Sequence, residues 1–226
     1  MSPCCENRAC RADRARPAWV QRLVAWVTAS SDEANNRLLG ERKRALFAGL
    51  AGDVLEIGPG TGANLPFLPA GVRWVGVEPN PYMCGYLRRK AEQLGLAADL
   101  RAGSAERLDV PDGSVDTVIC TLVLCSVHDV AGALREVQRV LKPGGRFVFI
   151  EHVAAPAGTR LRTVQRLVRP LWRFIADGCT PDRETWVALE RAGFASVRYE
   201  RFRMDVPLPF VSPAIAGTAT SAARSS

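Results

Sequence analysis

The sequence has no run of about 18 consecutive apolar residues, so no segment of it reads as a membrane-spanning helix. Its first thirty residues lack the long apolar stretch of a secretory signal, and the expected compartment is therefore the cytosol. Histidine is almost missing: the 226 residues contain only two, His128 and His152. Cysteine is present, but the seven residues Cys4, Cys5, Cys10, Cys84, Cys120, Cys125 and Cys179 are odd in number and form no disulfide-like framework. Reduced thiols are expected. Cys4, Cys5 and Cys10 have no partners at zinc-ligand spacing, so no metal is expected there either. Aromatic residues make up only 7% of the chain and do not interleave the small basic clusters at Arg11, Arg14, Arg16 and Arg42-Lys43-Arg44. A base-stacking surface needs that interleaving. The net charge of +7 is accordingly read as scattered surface charge, with no nucleic-acid partner and no obligate protein partner expected.

What remains is an ordinary globular composition, 47% hydrophobic and 23% charged, long enough for one main core. Three regions are expected: a disordered basic tail over 1–16, N-terminal helices over 17–50 that cap the site, and an α/β domain over 51–226. After Pro17, the residues Trp19, Val20, Leu23, Val24, Trp26 and Val27 fall at helical spacing. That stretch, Trp19 to Val27, suits weak contact with a membrane surface, although such a helix more often packs on its own domain. A second helix is expected over Asp32 to Leu50, with Leu38, Leu39, Ala45, Leu46 and Leu50 facing inward.

Beyond Gly52, short apolar runs alternate with helical segments, the pattern of a mostly parallel sheet with helices on both faces. Strands are expected at Val54–Ile57, Arg73–Val77, Ala98–Ala102, Val115–Cys120, Arg146–His152, Ser196–Phe202 and Ala214–Ala219. Helices are expected over Tyr82–Leu94, started by Asn80-Pro81, over Val130–Leu141, ended by the turn Lys142-Pro143-Gly144-Gly145, and near Arg160–Ala176 and Pro181–Ala192.

The chemistry centres on the first strand, which runs into Gly58-Pro59-Gly60-Thr61-Gly62 and then a helix. Glycines at such a bend let the backbone turn tightly and approach a ligand, and ligands in these sheets lie at the carboxyl ends of the strands. Alone, the loop could equally be a tight turn without a ligand. Three further features sit where a nucleotide-like ligand would reach them. Glu78 closes the second strand about 20 residues after Glu56, where a carboxylate, offering only acceptors, suits a vicinal diol. Ser104, Ala105 and Glu106 follow the third strand, and Cys120, Thr121 and Leu122 end the fourth.

In this order the motifs resemble the class I S-adenosylmethionine-dependent methyltransferases: Glu56 with Gly58, Gly60 and Gly62, the acidic end of strand two, Gly103 to Glu106, Pro111 to Asp116, and Arg139 to Gly145. The resemblance implies a Rossmann-like α/β fold with a mostly parallel seven-stranded sheet, and S-adenosyl-L-methionine as cofactor. It implies that Glu56, Gly58, Gly60 and Gly62 hold the methionine end, Glu78 the ribose, and Ser104 to Glu106 the adenine. A narrower similarity, carried by Leu55 to Asn64, Pro79-Asn80-Pro81, Cys120 to Val127, Glu151 to Ala154, Asp177-Gly178-Cys179 and Arg183 to Glu190, is to the alkyl-thiol branch of the methyltransferase-like proteins. It implies a small thiol as acceptor, and adds Asn64, Pro79 and Asn80 to the cofactor site.

Methyl transfer from a sulfonium is an in-line displacement, so alignment and water exclusion matter more than a strong base. His152, at the end of strand five, and Asp177 are the candidates for acid-base or acceptor contact, against a hydrogen-bonded structural histidine and a helix-end turn. O- or C-methylation of a small phenol, quinol or lipid stays open. A nicotinamide-dependent oxidoreductase would need its third glycine one residue later. A protein that holds the cofactor without catalysis is the remaining alternative.

Overall fold

The computed structural model describes residues 16–223. The tail expected over 1–16 lies, Arg16 apart, outside the described residues. From there the chain runs α1 (Ala18–Phe47), β1 (Asp53–Ile57), β2 (Arg73–Glu78), α2 (Cys84–Gln93), β3 (Asp99–Ala102), β4 (Val115–Thr121) and α3 (Val130–Val140). It continues through β5 (Leu141–His152), α4 (Arg160–Ile175), α5 (Thr185–Arg191), β6 (Ser196–Arg203) and β7 (Pro213–Thr220). All strands join one seven-stranded sheet in the order β3-β2-β1-β4-β5-β7-β6. β1 to β5 pair in parallel, while β7 runs antiparallel between β5 and β6.

The central strands read as unbroken apolar runs because both of their faces are covered. Leu55, Ile57, Val118, Phe147 and Phe149 pack with Leu134 and Val137 of α3 and Leu189 of α5. Val54, Ile119 and Val148 point the other way, onto Phe47 of α1 and Leu87 and Ala91 of α2. Strand order reverses direction between β1 and β4, which leaves a crevice at their carboxyl ends.

Several elements depart from expectation. The two helices expected over 17–50 are one 30-residue helix, α1. Ser30 and Ser31, which lie between the two expected helices, turn their hydroxyls back to the carbonyls of Trp26 and Val27 at 2.9 and 2.8 Å and stay helical. Ala45 faces solvent rather than the core, and Asp32, Gly40 and Lys43 are buried in its stead. No full helix follows Gly62. A single 3-10 turn, Leu65–Phe67, stands there, since Pro66 removes an N–H from the ladder. α2 begins at Cys84, with Asn80 Oδ1 accepting the Tyr82 N–H at 3.0 Å one turn earlier. α5 begins at Thr185 rather than Pro181. Lys142 to Gly145 form no separate turn between α3 and the strand. They bulge out within β5, where Leu141 pairs with Val115 and Arg146 already pairs with Thr117.

Candidate functional site

Gly58 follows the last residue of β1 with φ +61°, a left-handed conformation, and its N–H donates to the Val77 carbonyl at 2.9 Å. A Cβ there would lie 2.6 Å from Val123 Cγ2, so the backbone at this bend packs directly on the chain leaving β4. Gly60 points its open side toward Thr28 of α1 and Met83. Glu78, at the end of β2, reaches into the same bend. Its Oε2 accepts the Gly60 N–H at 2.9 Å and its Oε1 accepts the Asn80 N–H at 2.8 Å. The carboxyl is fully enclosed, and burial raises its pKa to about 7 against the two backbone donors, with the charge of Asp177 adding to the rise.

Glu56, in β1 on the interior side of the bend, is held by two neutral donors: Asn64 Nδ2 at 2.9 Å on Oε1 and Trp74 Nε1 at 2.9 Å on Oε2. Burial raises this carboxyl too, to about 7. Asn64 Nδ2 also donates to Thr121 Oγ1 at 3.0 Å, which ties the loop after β1 to the end of β4. That leaves Asn64 Oδ1 buried without a partner. A buried unpaired acceptor is costly unless a donor arrives, and an ammonium group is such a donor.

α1 closes this region from above. Asn80 Nδ2 donates to the Gln21 carbonyl at 3.1 Å, and Thr61 Oγ1 donates to Asp32 Oδ1 at 2.8 Å. Lys90 Nζ pairs with the other Asp32 oxygen. Lys43 Nζ donates to Asn36 Oδ1 at 2.8 Å and to the Ala63 carbonyl at 3.2 Å. Desolvation pulls the Lys43 pKa down to about 8, against the charges of Glu56 and Asp32. Sequence reasoning missed Asp32 and Lys43. The signal was there: Lys43 sits between Leu39 and Phe47 at four-residue steps, a cation inside an apolar stripe.

The expected adenine side is less unified. Ala105 is buried in the main core, and Ser104 forms an isolated bridge with Arg107. Glu106 Oε1 accepts the backbone N–H groups of His128 and Asp129 at 3.0 and 3.3 Å, so its carboxylate caps the turn that leads into α3. Cys120 and Thr121 end β4, and Leu122 follows with φ +58°, a strained value for a side-chain-bearing residue.

The strain at Leu122 has a counterpart in Glu151, a residue that carried part of the resemblance but was given no role of its own. Its fully buried carboxylate accepts N–H groups from Val123 at 2.9 Å, Leu124 at 3.0 Å and Cys125 at 3.2 Å, and the Cys120 thiol at 3.3 Å. A carboxylate that collects three successive N–H groups fixes the turn after β4, the floor of the crevice.

His152 ends β5 with its Nδ1 buried and unpartnered. Burial lowers the imidazole to about 4, so it is neutral at pH 7. Asp177 sits in the turn after α4 with φ +47° and faces Arg16 at 3.5 Å. Cys179 follows it and lies beside Cys125. Thr180 N donates to the Cys125 carbonyl at 2.9 Å, and the neighbouring Cys125 thiol pulls the Cys179 thiol below its ordinary value. The exposed His128 lies apart from this region.

Glu78, Gly60 and Asn80 therefore meet in one cluster, and Glu56, Asn64 and Thr121 in a second next to it. The donor set fits S-adenosylmethionine. Two carboxylate oxygens at Glu78 match a ribose diol, the orphaned Asn64 Oδ1 matches an α-ammonium, and the Gly60 bend keeps side chains away. None of these groups is a phosphate ligand.

Comparison with known proteins agrees with this geometry. A family model described as a methyltransferase domain matches residues 55–149. The human thiol S-methyltransferase TMT1A is 42% identical over 81% of this chain and 80% of its own length. Its human counterpart TMT1B is 41% identical over 87% of this chain and 84% of its own. Among solved structures, a putative methyltransferase from Haloferax volcanii, seen with its Trm112 activator, superposes with a TM-score of 0.69 at 18% identity. It covers 92% of this chain and all of its own, and shares the fold. With the seven-stranded sheet, the glycine bend and these relatives in agreement, the chain belongs to the class I S-adenosylmethionine-dependent methyltransferases.

Proposed function

We propose that the protein transfers the methyl group of S-adenosylmethionine to the sulfur of a small alkyl thiol in the cytosol. The observation that carries the acceptor is the match, over about four-fifths of both chains, to relatives named for thiol S-methylation. The chemistry of the crevice agrees. When bound, the cofactor supplies an electrophilic methyl group on a sulfonium. A cysteine-like thiol, with a pKa near 8.5, is a few per cent thiolate at neutral pH and attacks it without a strong base. His152, neutral and with Nδ1 free, is suited to orient the thiol S–H, while its pKa of about 4 makes it too weak to keep the proton. Asp177 contacts the acceptor from the turn after α4.

On the donor side, Glu78 takes the ribose hydroxyls, with Pro79 and Asn80 beside it. Glu56 and Asn64, with Gly58, Gly60 and Gly62, hold the methionine end. Ser104 to Glu106 border the adenine, and Cys120, Thr121 and Leu122 form the floor. α1, through Gln21, Thr28 and Asp32, shuts water out of the crevice. The exposed residues of its Trp19–Val27 stretch support peripheral contact with a bilayer surface. The buried thiols of Cys120, Cys125 and Cys179, which form no disulfide, support a reducing compartment.

A donor-consumption screen across thiols, phenols, quinols, lipids and RNA tests the acceptor. Turnover with small alkyl thiols is the expected result. Turnover confined to any other class would overturn the reading.

A further inference from the structure

Large apolar side chains are concentrated in solvent on two helices. α1 exposes Trp19, Leu23, Trp26 and Val27, and α4 exposes Val164, Leu167, Leu171, Phe174 and Ile175, with Leu167 and Phe174 each 75% exposed. Both sets follow helical spacing, so each forms a stripe along one face. The two stripes belong together at one end. Arg16, just ahead of α1, donates to the carbonyls of Arg173 and Phe174 at 3.0 and 3.1 Å and faces Asp177, pinning the start of α1 to the end of α4.

Charge on the two helical stretches that carry the stripes has a single sign. α4 carries no Asp or Glu, and its Arg160, Arg166, Arg169 and Arg173 are exposed; α1 has Arg22 exposed and no acidic residue before Asp32. Three occupants come into question. Residues 1–15 are poorly suited, since they hold several arginines and, apart from Met1, no large apolar side chain. A second copy of this chain would set one arginine-rich face against another, a like-charge contact. An anionic lipid surface satisfies both properties at once: apolar side chains and Trp enter the acyl boundary, and arginines meet the headgroups. Such exposed stripes on a folded chain mark an interaction surface.

We propose that α4, together with the first half of α1, docks this enzyme onto anionic membranes, with Val164, Leu167, Leu171, Phe174 and Ile175 inserted and the flanking arginines on phosphate headgroups. The proposal extends the peripheral contact read from α1 and does not depend on the acceptor. Because Arg16 also faces Asp177, docking places the acceptor side of the crevice next to the lipid.

The test is co-sedimentation of the full chain with vesicles of phosphatidylcholine alone or with about one-third phosphatidylglycerol. The wild-type protein is expected to pellet with the anionic vesicles only, and to be released as NaCl approaches about 0.5 M. A variant with Leu167→Glu, Leu171→Glu and Phe174→Glu is expected to lose at least tenfold in vesicle affinity while keeping its cofactor affinity. Trp19→Glu with Trp26→Glu, tested in parallel, probes α1 separately. Loss confined to the α1 variant would leave the α1 contact standing and overturn the role of α4. Failure of the wild-type protein to pellet with either vesicle would overturn both. Sedimentation velocity on the same proteins supplies the remaining outcome. A wild-type dimer that becomes a monomer in the α4 variant would assign the face to a second copy and overturn the lipid proposal.

Discussion

The two sides of the crevice are built on different terms. On the donor side, Glu78 is paired with two backbone N–H groups, Glu56 with Asn64 and Trp74, and Thr61 with Asp32, while Asn64 Oδ1 is left open for the cofactor. On the acceptor side, the His152 Nδ1 has no partner, Asp177 is held in a left-handed conformation, and β5 gives way to an antiparallel neighbour in place of another βα unit. The donor side is a fixed receptor for one molecule. On the reading proposed above, the side of His152 and Asp177 takes the acceptor and varies with it, as a fold that hosts many functions allows.

That contrast can be broken experimentally. The largest effect is expected at Gly58, where an added Cβ meets both a left-handed φ and Val123 at 2.6 Å. Gly58→Ala should cost about 3 kcal/mol of stability, with loss of cofactor binding, measured by urea unfolding and calorimetry. A smaller effect is expected from pH. Glu78 must be ionised to accept two hydroxyls, so cofactor affinity should fall by up to about tenfold from pH 8 to pH 6, as the carboxyl protonates through about 7.

The ligand-free protein should show the opposite trend in stability. Both Glu56 and Glu78 have folded pKa values raised above 4.5 to about 7, so between those limits the folded state keeps protons that the unfolded chain has lost. Stability contributed by the protonated carboxyls is therefore complete below 4.5 and lost as pH rises through 7, and melting should occur at lower temperature at pH 8 than at pH 5.5. An affinity that did not change with pH would mean that Glu78 does not face the diol. The smallest effect is expected at Glu106. If its carboxylate serves the turn before α3, Glu106→Ala should cost about 1 kcal/mol of stability and less than threefold in cofactor affinity. A larger affinity loss would return Glu106 to the adenine.

The same contrast explains how much could be read from the sequence. The sheet was legible because apolar runs such as Val115–Cys120 and Arg146–His152 are set by burial on both faces, a local signal. Gly58 and Glu78 were legible because backbone geometry at the end of a strand limits which residue can stand there. The continuous α1 was not, since Ser30 and Ser31 satisfy their hydroxyls within the helix and so do not break it. Glu151 was not, because its three N–H partners come from a turn almost thirty residues earlier, and no local rule marks a carboxylate as the anchor of a distant loop. Asp32 was hidden for the same reason, since its value comes from facing Thr61 across the crevice, whereas Lys43 carried a local mark in its place between Leu39 and Phe47.

Calorimetric titration of S-adenosylhomocysteine into two variants, Glu78→Ala and His152→Gln, tests the division of the crevice most directly. Loss of two hydrogen bonds to a charged acceptor is worth about 3 kcal/mol, so Glu78→Ala should weaken binding by about 100-fold. His152→Gln should leave binding within about twofold of the wild-type protein and affect only the rate of thiol methylation. Unchanged affinity in a folded Glu78→Ala protein, or a large loss in His152→Gln, would contradict the account.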